Sequence, residues 1–304
     1  VINSATFLAI ENPSTDVARY RAGDLDMTSY ALPPEQFAKL QKELPGEVFT
    51  TRTLATYSYE LNNKKAPFDN VNVRKALNLS LDRNVITDKV LGQGQTPTYV
   101  FTPTYIEEGH LIQQPAYSKE PMAQRNEEAI KLLEEAGYSK ANPLKFTILY
   151  NTNENHKKVA IAAASMWKAN TKGLIDVKLE NQEWKTYIDS RRAGRYDAAR
   201  AGWNADYNQA TTFGNYFLSN SSNNTAKYAN PEYDKAIAES YVATDAEGRA
   251  KAYAKAEEIL AKDFGIVPIF NYVNPRLVKP YVKGYSGKDP QDHIYLRNLY
   301  IIKH

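Results

Sequence analysis

The sequence predicts an α/β fold whose central sheet is largely parallel and covered by helices. Three strand-like segments, residues 143–151, 174–182 and 196–203, alternate with two helix-like segments, 157–170 and 184–193. Parallel strands need crossover connections of about this length, and helices usually supply them. We therefore expect the strands to lie side by side with their carboxyl ends at one edge of the sheet.

The segments before this alternation are predicted from periodicity and stop signals. Apolar residues alternate over 2–9 as in a strand, and a helix is expected near Pro34–Leu44. Apolar residues in 70–94 are spaced as in a helix, and two glycines end this pattern. Another helix is predicted over 126–138, with acidic residues near its start and a glycine at its C-terminal end. The prolines and absent periodicity of 95–125 predict a long loop between these helices.

The segments after it are predicted in the same way. Two helices are expected at 231–242 and 244–263, the second begun by a capping box of Thr244 and Glu247. A buried strand follows directly, and the alternating tail 277–304 predicts strands that join another sheet.

Composition narrows the class of protein. The 304 residues are 42% hydrophobic and 24% charged, with an interspersed net charge of +3, which disfavours nucleic acid as a partner. The sequence contains no apolar run that is long enough to predict a membrane span. It also contains no cysteine, which excludes disulfides and thiolate zinc sites. The chain starts without Met inside a strand-like pattern, so we expect a piece of a longer protein.

Signatures of catalysis and cofactor binding are weak throughout. The four histidines, including His304, lack metal-ligand spacing with carboxylates, so no metal site is expected. The segment 284–287 is not a nucleophile elbow, and a proline interrupts the glycine pattern of 92–97. These patterns predict no cofactor and do not indicate an enzyme.

The strongest functional signal lies at the end of the third strand, in "YDAARAGWNADYNQATTF" (196–213). Asp206 follows the strand end, where ligands of parallel sheets bind, and Arg200 and Trp203 lie within the strand. The residues alone also allow a turn-capping Asp206, an Arg200 paired with a carboxylate, and a Trp203 in the core. His156, at a helix start after a strand end, could equally be a solvated cap.

Several long motifs in order resemble one family. "VNVRKALNLSLDRNVI", "EEAIKLLEEAGY", "NTNENHKKVAIAAASMWK", "RAGWNADYNQATTF" and "VKPYVKGYSGKDP" look like the C-terminal part of the periplasmic oligopeptide-binding proteins of bacterial ABC peptide permeases. These belong to the extracellular solute-binding family 5, with murein-peptide-binding proteins as near relatives. The resemblance covers essentially the whole chain.

The resemblance implies a two-lobe fold of the type II periplasmic-binding-protein kind, with a ligand clamped between the lobes. Residues 1–54 would end the first lobe, 55–273 would form a complete second α/β lobe, and 274–304 would return to the first. The N-terminal remainder of the same protein would supply the rest of the first lobe. This part alone is expected to bind ligand poorly, because lobe closure supplies the desolvation that strengthens polar contacts.

The resemblance also implies roles for residues at the strand end. Asp206 would pair with the α-ammonium group of a peptide, and the backbone of 201–204 (Ala201, Gly202, Trp203 and Asn204) would bind its main chain as an added strand. Arg200 and His156 carry over as cations for the peptide carboxylate, with Arg191 as the basic group for other ligands.

Other positions bear on the side chains and length of the peptide. Trp184, Arg192 and Trp203 would line roomy side-chain pockets, although Trp184 could simply pack against its helix. A lysine of some members falls on Leu91, and a ligand-facing tyrosine falls on Ser58, so the length preference stays open. The two cysteines of a family disulfide fall on Ala55 and Asn204, so that link is absent.

The resulting hypothesis is a non-enzymatic, monomeric solute-binding protein of the Gram-negative periplasm. It would bind short peptides and deliver them to an inner-membrane ABC permease. A murein peptide, glutathione, haem or a metal chelate such as nickel is an alternative ligand on the same fold, and a peptide hydrolase is a more distant alternative.

Overall fold

The computed structural model describes residues 2–10, 12–29 and 31–303, and it is a mixed α/β fold built on one six-stranded sheet. The α-helices are α1 Pro13–Ala22, α2 Pro34–Glu43, α3 Val71–Leu79, α4 Met122–Glu135, α5 Glu154–Asn170, α6 Trp184–Arg192, α7 Thr211–Gly214, α8 Pro231–Val242 and α9 Ala246–Lys262. The strands are β1 Val48–Leu61, β2 Thr96–Pro97, β3 Leu144–Asn151, β4 Ile175–Gln182, β5 Ala198–Asn204, β6 Ile266–Leu277, β7 Val282–Lys283 and β8 Tyr300–Ile301.

The main sheet has the strand order β2-β6-β1-β5-β3-β4. Strands β4, β3 and β5 are mutually parallel, as the strand–helix alternation predicts. The long strand β1 is antiparallel to both of its neighbours, β5 and β6, so the sheet is mixed rather than largely parallel. The partners of β1 lie far away in sequence, and local periodicity carries no information about such pairing.

The two faces of the sheet bury separate cores. Alternate residues of a strand point to opposite faces, so Tyr57 and Tyr59 of β1 lie in a core under α3, α4 and α5, whereas Leu54 lies in a second core under α7, α8 and α9. Trp167 of α5 fills the first core completely buried, and its indole nitrogen donates to the carbonyl oxygen of Leu77 at 2.9 Å.

The first and last parts of the described chain form a smaller unit. Helices α1 and α2 pack around Tyr20, Leu40 and the end of β6 at Leu277 in a separate cluster. Strands β7 and β8 pair in a small second sheet, as expected for the tail. Strands β1 and β6 connect this unit to the large sheet, and their pairing register shifts between Arg52 and Thr56.

Several local predictions are wrong. Residues 2–10 form no strand, because their backbone finds no partner strand among the described residues, and α1 was missed although Asn12 caps it and Pro13 begins it. The single helix expected in 70–94 is divided into α3 and a π-helix at Val85–Leu91. The cap of α9 is Asp245, whose carboxylate accepts from the backbone N–H of Gly248 at 2.7 Å, and not Thr244.

The predicted loop over 95–125 is mostly irregular, and a buried carboxyl group of α9 binds its backbone. Glu257 accepts hydrogen bonds from the backbone of Phe101 and from both the backbone and the hydroxyl group of Thr102. Burial raises the pKa of Glu257 above its usual value, and these donors partly offset that effect. None of the helices within the described ranges is both long and apolar enough to cross a membrane.

Candidate functional site

Strand β5 has an unpaired edge at its carboxyl end. It pairs with β3 only at Ala198 and Ala199, whereas its pairing with β1 continues to Asn204. Because the N–H of Ala205 donates to Leu54 at 2.8 Å, alternation directs the backbone groups of Gly202 and Asn204 away from β1. The carbonyl oxygen of Arg200 on this side accepts a hydrogen bond from the hydroxyl group of Tyr187, so we call the backbone of residues 202–204 on this side the open edge of β5.

Asp206 lies just beyond the open edge and is exposed. Its backbone N–H donates to the hydroxyl group of Thr212 at 3.2 Å, and that hydroxyl donates to its carboxylate at 3.4 Å. No ion pair to Asp206 occurs within the part of the chain that the structure describes. The carboxylate therefore keeps an uncompensated negative charge at the strand end.

Arg200 carries the matching positive charge on β5. Its guanidinium group donates to the hydroxyl group of Tyr272 and, at 3.4 Å, to the side-chain oxygen of Asn151. It also lies 5.2 Å from the ring centroid of Tyr57, and its Nε has no hydrogen-bond partner. No carboxylate pairs with it among the described residues, so the alternative of an internal ion pair is wrong.

His156 lies beside Arg200 at the start of α5. The side chain of Asn153 caps the helix and accepts from the backbone N–H of His156 at 3.1 Å, and the imidazole contacts Tyr57 with 5.6 Å between ring centroids. Burial, and then the charge of Arg200, lower the pKa of His156 well below its usual value. Both effects favour the neutral form of the ring, so a cationic His156 would need an anion beside it.

Arg191 faces the opposite side of the sheet. Its guanidinium group donates to Glu60 at 2.9 Å and to the hydroxyl groups of Tyr216 and Thr225 at 3.1 Å each. Arg191 is only 8% exposed and Glu60 is fully buried. This arrangement argues against a ligand-binding role for Arg191, because an internal acid already balances its charge.

The aromatic candidates are divided between the site and its surroundings. Trp203 is half-buried, contacts Tyr216 edge-to-face at 4.9 Å and donates from its indole nitrogen to Thr212 at 3.2 Å. Trp184 is 57% exposed and stacks on Tyr187 at 5.9 Å, so it is not a core residue. Arg192 is also exposed.

The two positions that depart from the family pattern are both internal. Ser58 is fully buried in β1 opposite Ala201, on the face of the sheet away from Arg200, so the expectation that it faces a ligand is wrong. Leu91 is 4% exposed and belongs to the core under α5. The positions of the family cysteines, Ala55 and Asn204, are direct partners in the β1–β5 ladder, so they are neighbours in space.

Sequence reasoning missed three residues of the site. Tyr57 comes from β1 and Tyr272 from β6, and only the pairing of these strands with each other and with β5 brings both phenol rings to Arg200. Thr212 was within the quoted motif, but the sequence does not indicate the direction of its hydroxyl group. No group of three metal-ligating side chains occurs within the described ranges.

Comparisons with known proteins identify the family of the chain. The family model "Bacterial extracellular solute-binding proteins, family 5 Middle" matches residues 2–225. The periplasmic oligopeptide-binding protein OppA of Haemophilus influenzae is 96% identical over 304 residues, which are 100% of this chain and 56% of that protein. The periplasmic murein peptide-binding protein MppA of Escherichia coli is 44% identical over 304 residues, again 56% of its length.

A solved structure is similar over the whole chain. The crystal structure of Haemophilus influenzae OppA in complex with RPPGFSPFR has a TM-score of 0.95 at 95% identity, and the match covers 100% of this chain and 59% of that chain. The chain therefore spans little more than half the length of these relatives. They are solute-binding proteins and not enzymes, which disfavours the hydrolase alternative.

Proposed function

Because the chain belongs to the bacterial extracellular solute-binding proteins of family 5, we propose that its protein binds short peptides in the Gram-negative periplasm. It would deliver them to an inner-membrane ABC permease without chemical change. The names of the two curated relatives, an oligopeptide-binding and a murein peptide-binding protein, support a peptide as the ligand.

The observation that carries this proposal is a pair of unmatched charges beside the open edge of β5. A peptide that adds to this edge as a strand would bind the backbone of Gly202 and Asn204, and it would bring its ammonium group to Asp206. Its carboxylate would meet Arg200, which has no acid partner among the described residues. Main-chain recognition of this kind ignores side-chain identity and suits a carrier of many peptides.

The side chains of the peptide would contact both apolar and charged side chains of the protein. Trp203 and the exposed Trp184 offer flat apolar surfaces, and Arg192 offers an exposed cation. His156 would donate a hydrogen bond to the carboxylate of those peptides that reach it. Water is expected to fill the remaining space, which permits side chains of different size.

We also propose that the chain divides into lobes at 54/55 and 273/274. The separate cluster around α1 and α2, the two cores of the main sheet, and the register shift in β1 near Arg52 support these boundaries. The remainder of the protein would complete the first lobe and close over Asp206, which is exposed here. We expect the complete protein to be a monomer.

The test is the affinity of the longest natural form of the protein for a short peptide with free termini. Asp206→Asn keeps the shape of the side chain and removes its charge, and we expect an affinity loss of at least about tenfold, since loss of one member of a desolvated charge pair costs about 2–5 kcal/mol. Calorimetry of both variants measures it. An unchanged affinity, or haem or a metal chelate as the ligand that co-purifies in mass spectrometry, would contradict the proposal.

A further inference from the structure

The hydroxyl group of Thr212 is hydrogen-bonded to capacity. It accepts from the indole nitrogen of Trp203 and from the backbone N–H of Asp206, both at 3.2 Å, and it donates to Oδ2 of Asp206 at 3.4 Å. A hydroxyl group has one donor and two acceptor positions, so this one has none left for solvent or ligand. Thr212 is 4% exposed, and no water is needed to satisfy it.

The segment that presents Thr212 is itself held in place. The backbone N–H of Ala210 donates to the carbonyl oxygen of Glu107 at 3.0 Å, and the side-chain amide of Gln209 donates to Glu108 at 2.9 Å. Arg249 of α9 pairs with Glu108 and balances its charge. Thr212 is also β-branched, which restricts its side-chain rotation. The hydroxyl group is therefore a fixed point relative to β5.

The two carboxylate oxygens of Asp206 differ in their hydrogen bonding. Oδ2 accepts from Thr212, whereas Oδ1 has no hydrogen-bond partner among the described residues. An ammonium group has three donors and binds best to a carboxylate oxygen with free lone pairs. The direction of Oδ1 is thus set by a side chain that does not itself meet the ligand.

We propose that Thr212 is a positioning residue for amine recognition: its hydroxyl group aims the carboxylate of Asp206 at the peptide ammonium group. This inference rests on the proposed function. The same hydroxyl group orients the indole of Trp203. It therefore contributes both to amine binding and to the position of one side of the side-chain pocket. Loss of the hydroxyl would therefore weaken recognition of the charged amine more than binding of the peptide main chain.

The test compares three variants in the longest natural form of the protein. Thr212→Val removes the hydroxyl group and keeps the shape, Thr212→Ser keeps the hydroxyl group, and Thr211→Val removes a neighbouring hydroxyl that bonds Gln209 and Tyr253 instead. Each is titrated with a short peptide and with its N-acetylated form. Circular dichroism and the melting temperature verify that each variant is folded.

The quantity of interest is the ratio of the two affinities, free amine over N-acetyl. Thr212→Val is expected to lower this ratio about tenfold, as for a lost hydrogen bond to a charged group, whereas Thr212→Ser and Thr211→Val stay within about twofold of the natural protein. An equal drop in Thr211→Val, or no drop in Thr212→Val, overturns the inference and leaves the proposed function intact. A natural protein that does not distinguish the two peptides refutes the role of Asp206 and the inference with it.

Discussion

Arg191 and Arg200 lie close together in sequence and both were expected to bind the ligand, but the structure gives them opposite surroundings. Arg191 is buried against Glu60 on one face of the sheet. Arg200 lies on the other face among Tyr57, Tyr272 and Asn151, with no acid partner among the described residues. A cation that the fold has neutralised is not free for a ligand, whereas a cation without an acid partner is available to an anionic ligand.

The difference follows from the cost of moving charge out of water. A buried ion is tolerated only with a partner and further hydrogen bonds, which Glu60, Tyr216 and Thr225 supply to Arg191. Burial opposes the charge of Arg191, but Glu60 and the neighbouring tyrosines outweigh it and raise its pKa. Arg200 is only half-buried, and aromatic faces and a neutral oxygen stabilise it while leaving its charge unbalanced.

The largest effect is expected for the buried ion pair of Glu60 and Arg191. Glu60→Gln leaves Arg191 buried without its anion, and we expect the free energy of unfolding to fall by about 3–5 kcal/mol. Denaturant unfolding of the natural protein and the variant measures this loss. In a folded sample at low temperature, the preference for free-amine and free-carboxylate peptides should persist.

The matched control is the double variant Glu60→Leu with Arg191→Met, which removes both charges together. It should recover part of the stability that Glu60→Gln loses, because no unpaired charge remains. The recovery is incomplete because the buried hydroxyl groups of Tyr216 and Thr225 lose their bonds to Glu60. A change of less than about 1 kcal/mol in Glu60→Gln would show that the pair behaves like an exposed one, and the contrast with Arg200 would disappear.

An intermediate effect is expected for Arg200, whose charge has no acid partner among the described residues. Arg200→Met should weaken binding of a peptide with a free carboxylate by about 1.5–3 kcal/mol, the range for hydrogen bonds to charged groups. Its stability should change little, because no internal acid among the described residues loses a partner. Calorimetry with the free acid and with the C-terminal amide separates the two contributions, since the amide should bind both proteins equally. Equal losses for acid and amide would mean that Arg200 acts on packing alone.

The smallest effect concerns His156 and depends on pH. Its pKa is lowered well below the usual value by burial and by Arg200, and a peptide carboxylate beside it would raise that pKa. The bound state would then hold more protons than the free state, so affinity rises as pH falls toward the pKa of the bound state. We expect the affinity for peptides that reach His156 to be higher at pH 5.5 than at pH 7.5.

His156→Gln is the control for this pH dependence, because glutamine keeps a hydrogen-bonding group and does not titrate. Calorimetry at the two pH values should show a flat affinity for the variant. A pH dependence that survives in His156→Gln would assign the titration to another group.

Local patterns predicted most of what is local in this protein. The alternation of strand and helix signals over 143–203 predicted β3, α5, β4, α6 and β5 with bounds within three residues of those observed. They also placed Asp206 beyond a strand end, because a strand and its following turn are contiguous in the chain. The helix α1 was missed although its signals are local, with Asn12 as cap, Pro13 at its start and Gly23 after its end. The π-helix after α3 was missed because apolar periodicity does not distinguish it from a continuation of the α-helix.

The sequence by itself determined the strand–helix alternation from β3 to β5, which family motifs the chain carries, and that an anion follows the end of β5. Only the tertiary structure decided that β1 is antiparallel between β5 and β6, that Glu60 neutralises Arg191, and that Tyr57 and Tyr272 surround Arg200. The physical reason is that secondary structure follows from the spacing of neighbouring residues. Desolvation and Coulomb energy depend instead on distances in space, and here the residues that are close in space are far apart in the chain.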